Sequence, residues 1–230
     1  YLASGGDDES VQVWDTQAMR RRIFQRLGAP VSSVSWSFDG SYILAGTLGN
    51  GGHALPLGSG TTVKSVTRSD LHALAFSPDG SYIAAATENG IVSVITVQVP
   101  HKDVFLRKQT AAALSLAWSP DGTRLAAGFA NNSAEVYEFG PGISSNGHIL
   151  HSLPHSGPVR GVAWEPATGT TGTAQRLATV ADDGTLNIWD VDSGTRTTYT
   201  GYGPAMLSVA WSSGGLATGD ANNTVILWQA

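Results

Sequence analysis

The sequence predicts an all-β protein made of repeated four-stranded antiparallel units set radially about an axis. Three observations predict it. A strand ending in an aromatic residue, a turn of the type Ser-x-Asp-Gly and a Leu-Ala-x-Gly strand recur along the whole chain. The strand-ending aromatics are Trp36, Phe76, Trp118, Trp164 and Trp211, so successive units are 40, 42, 46 and 47 residues apart. Turn signals divide each unit into four short strands, and a repeat of this length cannot bury its apolar face without a neighbour.

Within a unit the elements follow one order. Val31–Trp36 reads as a first strand (a), Ser37-Phe38-Asp39-Gly40 as a tight turn, 42–46 as strand b, 52–57 as strand c after a Gly/Asn turn, and 61–67 as an alternating outer strand d. The order restarts at Leu71, Ala113, Val159 and Ala205. Pro78-Asp79-Gly80 and Pro120-Asp121-Gly122 have tight-turn chemistry: Pro fixes φ, Asp bonds the local backbone and Gly admits positive φ. Strand b is Ala/Gly-rich, as in Ile83-Ala84-Ala85-Ala86 and Leu125-Ala126-Ala127-Gly128, which suits a strand packed on both faces. Strand d carries charged and hydroxyl residues (105–109, 197–200), as an exposed outer edge should.

These residues resemble the WD-repeat β-propellers over essentially the whole chain. The signature that names the family stands at Val13-Trp14-Asp15 and Ile188-Trp189-Asp190, and a third strand c ends in Leu227-Trp228-Gln229. The fullest copy runs from His155 to Asp190: His155 lies nine residues before Trp164, and Thr179 and Asp183 lie ten and six before Trp189. The resemblance implies a buried network linking His155 to Thr179, Thr179 to the Trp189 indole and Asp183 to the imidazole, each polar group satisfying another. Elsewhere the pattern is incomplete. The His position reads Leu27, Thr67, Gln109 and Tyr202, the Asp position reads Gly49, Asn89, Asn131 and Asn222, and Leu55, Ile95 and Tyr137 replace the strand-c Trp. Only Asp8 and Asp183 keep the acid, so most units are expected to rely on packing.

The chain opens on a strand b and closes on a strand c. The count is therefore six blades, the first without strand a and the last without strand d, in a single domain over 1–230. A six-bladed ring and a truncated seven-bladed ring both accommodate it, and the chain is expected to be a fragment of a longer one.

Composition excludes several function classes. The absence of cysteine removes disulfides, zinc thiolates and thiol catalysis. No run of about eighteen apolar residues exists to span a membrane, and Tyr1-Leu2-Ala3-Ser4-Gly5-Gly6 reads as a strand and its turn rather than a signal peptide. An intracellular setting, cytoplasmic or cytoskeleton-associated, is expected. The net charge of -5 argues against a nucleic-acid footprint. His148, His151 and His155 are the only histidine cluster, but on an extended strand 148 and 151 face opposite sides, so no metal site is expected. Gly46-x-x-Gly49-x-Gly51-Gly52 joins two strands without a following helix or lysine and reads as a turn, not a phosphate loop. Asp7-Asp8-Glu9 reads as a solvated turn rather than an acid/base pair, and no Gly-x-Ser-x-Gly elbow occurs. No catalytic residue, cofactor or small-molecule substrate is expected. Arg20-Arg21-Arg22 with Arg26 falls in a c–d connection, where solvated charge is favoured over a docking patch.

In such a meander the b–c turns and d–a loops share one rim. That rim is expected to present Arg68, Asp70, Glu88, Phe129, Arg160, Asp182, Tyr202 and Asp220. Phe129, Tyr202 and Arg160 are the expected protein contacts, with Arg68 and Glu88 beside them, because aromatics and Arg dominate interfaces. The opposite rim carries the longest insertions, 139–147 and 165–174. The leading reading is a non-catalytic scaffold for other proteins, a subunit or domain of a larger assembly. The alternatives are a substrate-receptor adaptor of a ubiquitin ligase and, disfavoured, a propeller enzyme. The first alternative lacks the Trp-Asp-x-Arg of such relatives: Trp14-Asp15-Thr16-Gln17 and Trp189-Asp190-Val191-Asp192 stand instead.

Overall fold

A computed structural model describes residues 1–58, 63–97, 102–139, 148–167, 176–201 and 203–229. Among the described residues there is no helix, and the strands fall into six antiparallel sheets. The first holds β1 (Leu2–Gly5), β2 (Ser10–Asp15) and β3 (Arg20–Arg26). The second holds β4 (Val31–Trp36), β5 (Tyr42–Thr47), β6 (Gly51–Pro56) and β7 (Val63–Val66). β8 (Leu71–Phe76), β9 (Tyr82–Thr87), β10 (Ile91–Thr96) and β11 (Asp103–Lys108) form the third. β12 (Ala113–Trp118), β13 (Arg124–Phe129), β14 (Ser133–Glu138) and β15 (His148–Pro154) form the fourth. The fifth holds β16 (Val159–Trp164), β17 (Arg176–Ala181), β18 (Leu186–Asp190) and β19 (Arg196–Tyr199), and the sixth β20 (Met206–Ser212), β21 (Gly215–Asp220) and β22 (Val225–Trp228). Hydrogen-bonded neighbours are always consecutive in sequence, so every sheet is a simple meander.

The sheets pack in series. β4, β8, β12, β16 and β20 each lie against the next, and the core is divided among the seams between consecutive sheets. This arrangement fits a β-propeller with strand a innermost. The strand-ending aromatics help join it: Trp118 Nε1–H donates to the Ala75 carbonyl at 3.3 Å, and Trp164 Nε1–H donates to Ala117 at 3.0 Å. Each indole thus satisfies its one donor on the first strand of the preceding sheet.

The turns after strand a are built as their sequence suggests. Asp39, Asp79 and Asp121 accept the backbone N–H of Ser41, Ser81 and Thr123, each at 3.0 Å, and also accept the hydroxyls of Ser37, Ser77 and Ser119. Hydrogen bonds from Ser37 and then Ser41 hold the exposed Asp39 carboxyl down at about 2.

One pairing fixes how closely the sheets approach. The third residue of strand a faces the fifth of strand b, and the pairs are Ser33–Gly46, Ala73–Ala86, Ser115–Gly128, Gly161–Val180 and Ser208–Gly219. A Cβ on Gly46, Gly128 or Gly219 would come within 2.6–2.8 Å of the facing serine Oγ. In the fifth sheet the sizes are exchanged, and a Cβ on Gly161 would meet Val180 Cγ2 at 3.0 Å. The volume of the pair is limited, not the identity of either partner. Gly46→Val should therefore cost about 1–3 kcal/mol by overpacking. Adding Ser33→Gly should recover part of that loss in urea unfolding; equal midpoints for the single and double variants would contradict this account.

Candidate functional site

Five β-bulges at one place shape the rim. In β4, β8, β12, β16 and β20 the register with strand b shifts between the first and third residues. The second residue, Ser32, His72, Leu114, Arg160 or Leu207, is released from the ladder, and a bulge re-aims such a side chain. Beside it stands the first residue past strand b. Leu48, Glu88, Ala130, Asp182 and Ala221 each donate their N–H to the carbonyl just before strand a, at 2.9–3.0 Å. Two of these couples are joined through polar side chains. Arg160 clasps Asp182 through both nitrogens, Nε to Oδ1 at 2.8 Å and Nη2 to Oδ2 at 2.7 Å, and His72 Nε2 meets Glu88 Oε2. The Asp182 hydrogen bond raises the Arg160 pKa further above its ordinary value.

The expected contact residues are not all brought to this rim. Phe129 is a correction: it is the last residue of β13, fully buried in the seam between the third and fourth sheets, and cannot touch a partner. Arg68 reaches across to the third sheet, donating Nε to Ser93 Oγ and Nη2 to Asp103 Oδ1, both at 2.9 Å. It acts as a clamp between sheets. Glu88 and Arg160 stand exposed on the rim, their side chains 65% and 42% accessible. Tyr202 lies outside the described residues, as do most of the two long insertions.

In the network beneath the rim every hydrogen bond is donated in the same direction along the chain. Trp189 Nε1–H donates to Thr179 Oγ1 at 2.9 Å, the Thr179 hydroxyl donates to His155 Nε2 at 2.7 Å, and His155 Nδ1–H donates to the Leu153 carbonyl at 3.0 Å. These partners assign the neutral Nδ1–H tautomer. The expected bond from Asp183 to the imidazole is corrected. Asp183 instead accepts Ser156 N–H at 2.9 Å and the Thr185 N–H and hydroxyl at 3.0 and 2.6 Å, and reaches the ring only through its charge. Burial works against ionised Asp183, but those hydrogen bonds prevail and its pKa is lowered.

Sequence reasoning missed two further networks. Trp228 Nε1–H donates to Thr218 Oγ1 at 3.0 Å, the same ten-residue spacing as Thr179 and Trp189. In the fourth sheet the buried Glu135 accepts the Tyr137 hydroxyl at 2.6 Å and the Gln109 amide. Burial, then the Glu135 hydrogen bond, pushes the Tyr137 hydroxyl pKa up. Gln109 at the His position was the available signal.

A cavity of about 530 Å³ opens between the fifth and sixth sheets beside Tyr199, Trp211 and Trp228. Thr197 faces Ile188 there, where Phe105 faces Val94 in the third sheet, so a ring is missing from that seam. Among the described residues no three His, Asp or Glu side chains gather to hold a metal, and no helix is long and apolar enough to cross a membrane.

Serial antiparallel meanders, bulged first strands and a buried Trp–Thr–His chain mark a repeat protein whose sheets fit a β-propeller. The chain belongs to the WD-repeat family: the WD40 family (WD domain, G-beta repeat) matches residues 22–53, 60–95, 104–138 and 147–190. It is 24% identical to the WD repeat-containing protein SL1-17 of Schistosoma mansoni, over 84% of this chain and 62% of that protein. It is 34% identical to a Poly(A)+ RNA export protein of Schizosaccharomyces pombe over 53% of this chain and 33% of that one. It is 23% identical to the nuclear distribution protein nudF of Aspergillus niger over 91% of this chain and 41% of nudF. The chain thus spans less than two thirds of each relative.

Burial is the largest influence on His155 and takes its pKa below 6.5, against the opposing pull of the Leu153 carbonyl and Asp183. The unfolded chain therefore takes up this proton first as pH falls. The contribution is complete above 6.5 and is lost as pH falls through the lower folded value. Thermal midpoints should decline on acidification below that point, and less steeply in His155→Gln. Thr179→Val should cost about 1–3 kcal/mol by leaving the indole and imidazole unpaired; an unchanged urea midpoint would contradict the chain of donors.

Proposed function

We propose that this chain is a non-catalytic protein–protein interaction scaffold, a WD-repeat domain or subunit of a larger multiprotein assembly. The observation that carries the reading is the rim of bulge-released side chains, in which Arg160–Asp182 and His72–Glu88 stand on rigid sheets. Such exposed pairs contribute only about 0.2–1 kcal/mol each. They can exchange their internal partner for one on another protein with little loss to the fold. The backbone beneath them is fixed by the repeated hydrogen bond before strand a, so little ordering entropy is lost on docking. The reading takes the sheets to close into a single ring domain within the cell. It takes the partners to be proteins rather than nucleic acid, in keeping with the net charge of -5.

The test compares proteins co-purified quantitatively with the parent chain, with Arg160→Glu, with Glu88→Lys and with Lys108→Glu on outer strand β11. The rim variants should lose partners that the outer-strand variant keeps, while stability changes by no more than about 0.5–1 kcal/mol. Partners retained by every variant would refute the rim reading. A large drop in thermal midpoint for Arg160→Glu would make that residue structural instead.

A further inference from the structure

The first sheet ends in a strand unlike the other outer strands. β3 carries four arginines in seven residues, Arg20, Arg21, Arg22 and Arg26, although the chain has only 13 Lys and Arg and a net charge of -5. Every β3 residue except Ile23 is exposed. Among the described residues none of the four forms an ion pair. Arg21 lies over the Phe24 ring at 4.9 Å, and Arg22 lies over Tyr1 at 5.1 Å and bonds its hydroxyl. Asp15 feels the charge of Arg20, and Asp8 that of Arg26, both beyond ion-pairing distance. Elsewhere on the outer strands Arg107 approaches Glu135 at 3.9 Å, and Arg196 donates to the Pro154 carbonyl.

β3 pairs only with β2, so along its other side no strand among the described residues takes up its backbone groups. A row of like charges on such an edge repels an identical strand, which guards against self-association. The same row attracts a strand of opposite charge, since opposite charges facing across a ladder stabilise it. We propose that β3 is a docking edge for an extended acidic peptide segment of a partner protein, which adds to the first sheet as a further strand. The arginines supply charge complementarity, and the free edge supplies the main-chain hydrogen bonds. Nucleic acid fits less well, because Asp7, Asp8 and Glu9 before β2 and Asp15 at its end flank the basic strip with negative charge. This surface is separate from the rim, so its failure would leave the rim reading standing.

The test uses a fluorescein-labelled octapeptide of alternating Glu and Thr, its Lys/Thr counterpart and an oligoadenylate RNA, read by anisotropy at low and high salt. The acidic peptide should bind, weaken with salt, and lose about tenfold or more in affinity to Arg20→Glu combined with Arg26→Glu. Arg20→Gln with Arg26→Gln should lose less, and it carries the test if the charge-reversed protein fails to fold. Hydrogen exchange should slow within residues 20–26 when the acidic peptide is bound, which a loose electrostatic contact would not produce. No binding, binding unchanged in both variants, protection elsewhere, or RNA bound more tightly than the peptide would each overturn the proposal. Aggregation of the variants with no peptide bound by the parent chain would also overturn it, and would make the arginines edge guards alone.

Discussion

The structure depends on a sheet middle that cannot face water. β5, β9, β13 and β17 are buried along nearly their whole length, and Ala45, Ala84, Ala85, Ala86, Ala126, Ala127 and Ala178 are fully covered. Side chains this small contribute little area each, so their value lies in letting neighbouring sheets approach closely and interlock larger residues from the flanking strands. Tyr137, Phe105 and Phe139 meet in this way between the third and fourth sheets, with ring centroids 5.1 Å apart in each Phe105 contact. A sheet removed from its neighbours would expose both of its faces. Stability is therefore held between sheets more than within them, as in other stacked repeats.

That distribution explains why the polar network need not be complete in every unit. The Trp–Thr–His chain locks β18 to the segment before β16, but the third sheet lacks it and is held instead by Arg68 reaching over to Ser93 and Asp103. In the fourth sheet Glu135 gathers Tyr137 and Gln109 across β14 and the residue just past β11. These solutions share one physical requirement: a polar atom buried near the c strand must find a partner, whatever its chemistry. A repeat motif records one solution and is silent on the others. The residues that break the motif still obey its purpose.

Much of the fold was legible in the sequence because turn chemistry and strand-ending aromatics are local signals. The expected strand Val31–Trp36 coincides with β4, and the outer strands differ by a residue or two at their ends. The bulges were not legible, since a one-residue register shift leaves no mark in composition. Phe129 was misplaced for a related reason. Counted as the first residue past the strand Leu125–Gly128, it looks like a turn aromatic, whereas the ladder continues through the Phe129–Ser133 pair and its ring is buried. The bonds of Arg68 were not legible because its partners Ser93 and Asp103 lie 25 and 35 residues away, on the next sheet. The bond from His155 to the Leu153 carbonyl was missed because it involves no distinctive side chain.

Two adjacent positions of strand a are under opposite constraints, and the contrast bears on where function can reside. The third residue faces strand b across the narrowest part of the seam, where only combinations such as Ser–Gly, Ala–Ala and Gly–Val occur. The second residue is freed by the bulge, and in the five sheets it is Ser, His, Leu, Arg and Leu. Its companion past strand b is Leu, Glu, Ala, Asp and Ala, and what all five share is the bond from the backbone N–H. Ser32 turns its hydroxyl to the Leu71 carbonyl of the next sheet, but at the other four positions charge, size and polarity can change without altering the approach of the sheets. A surface built so can carry a pattern chosen for a partner, because the fold imposes its demands one residue further along.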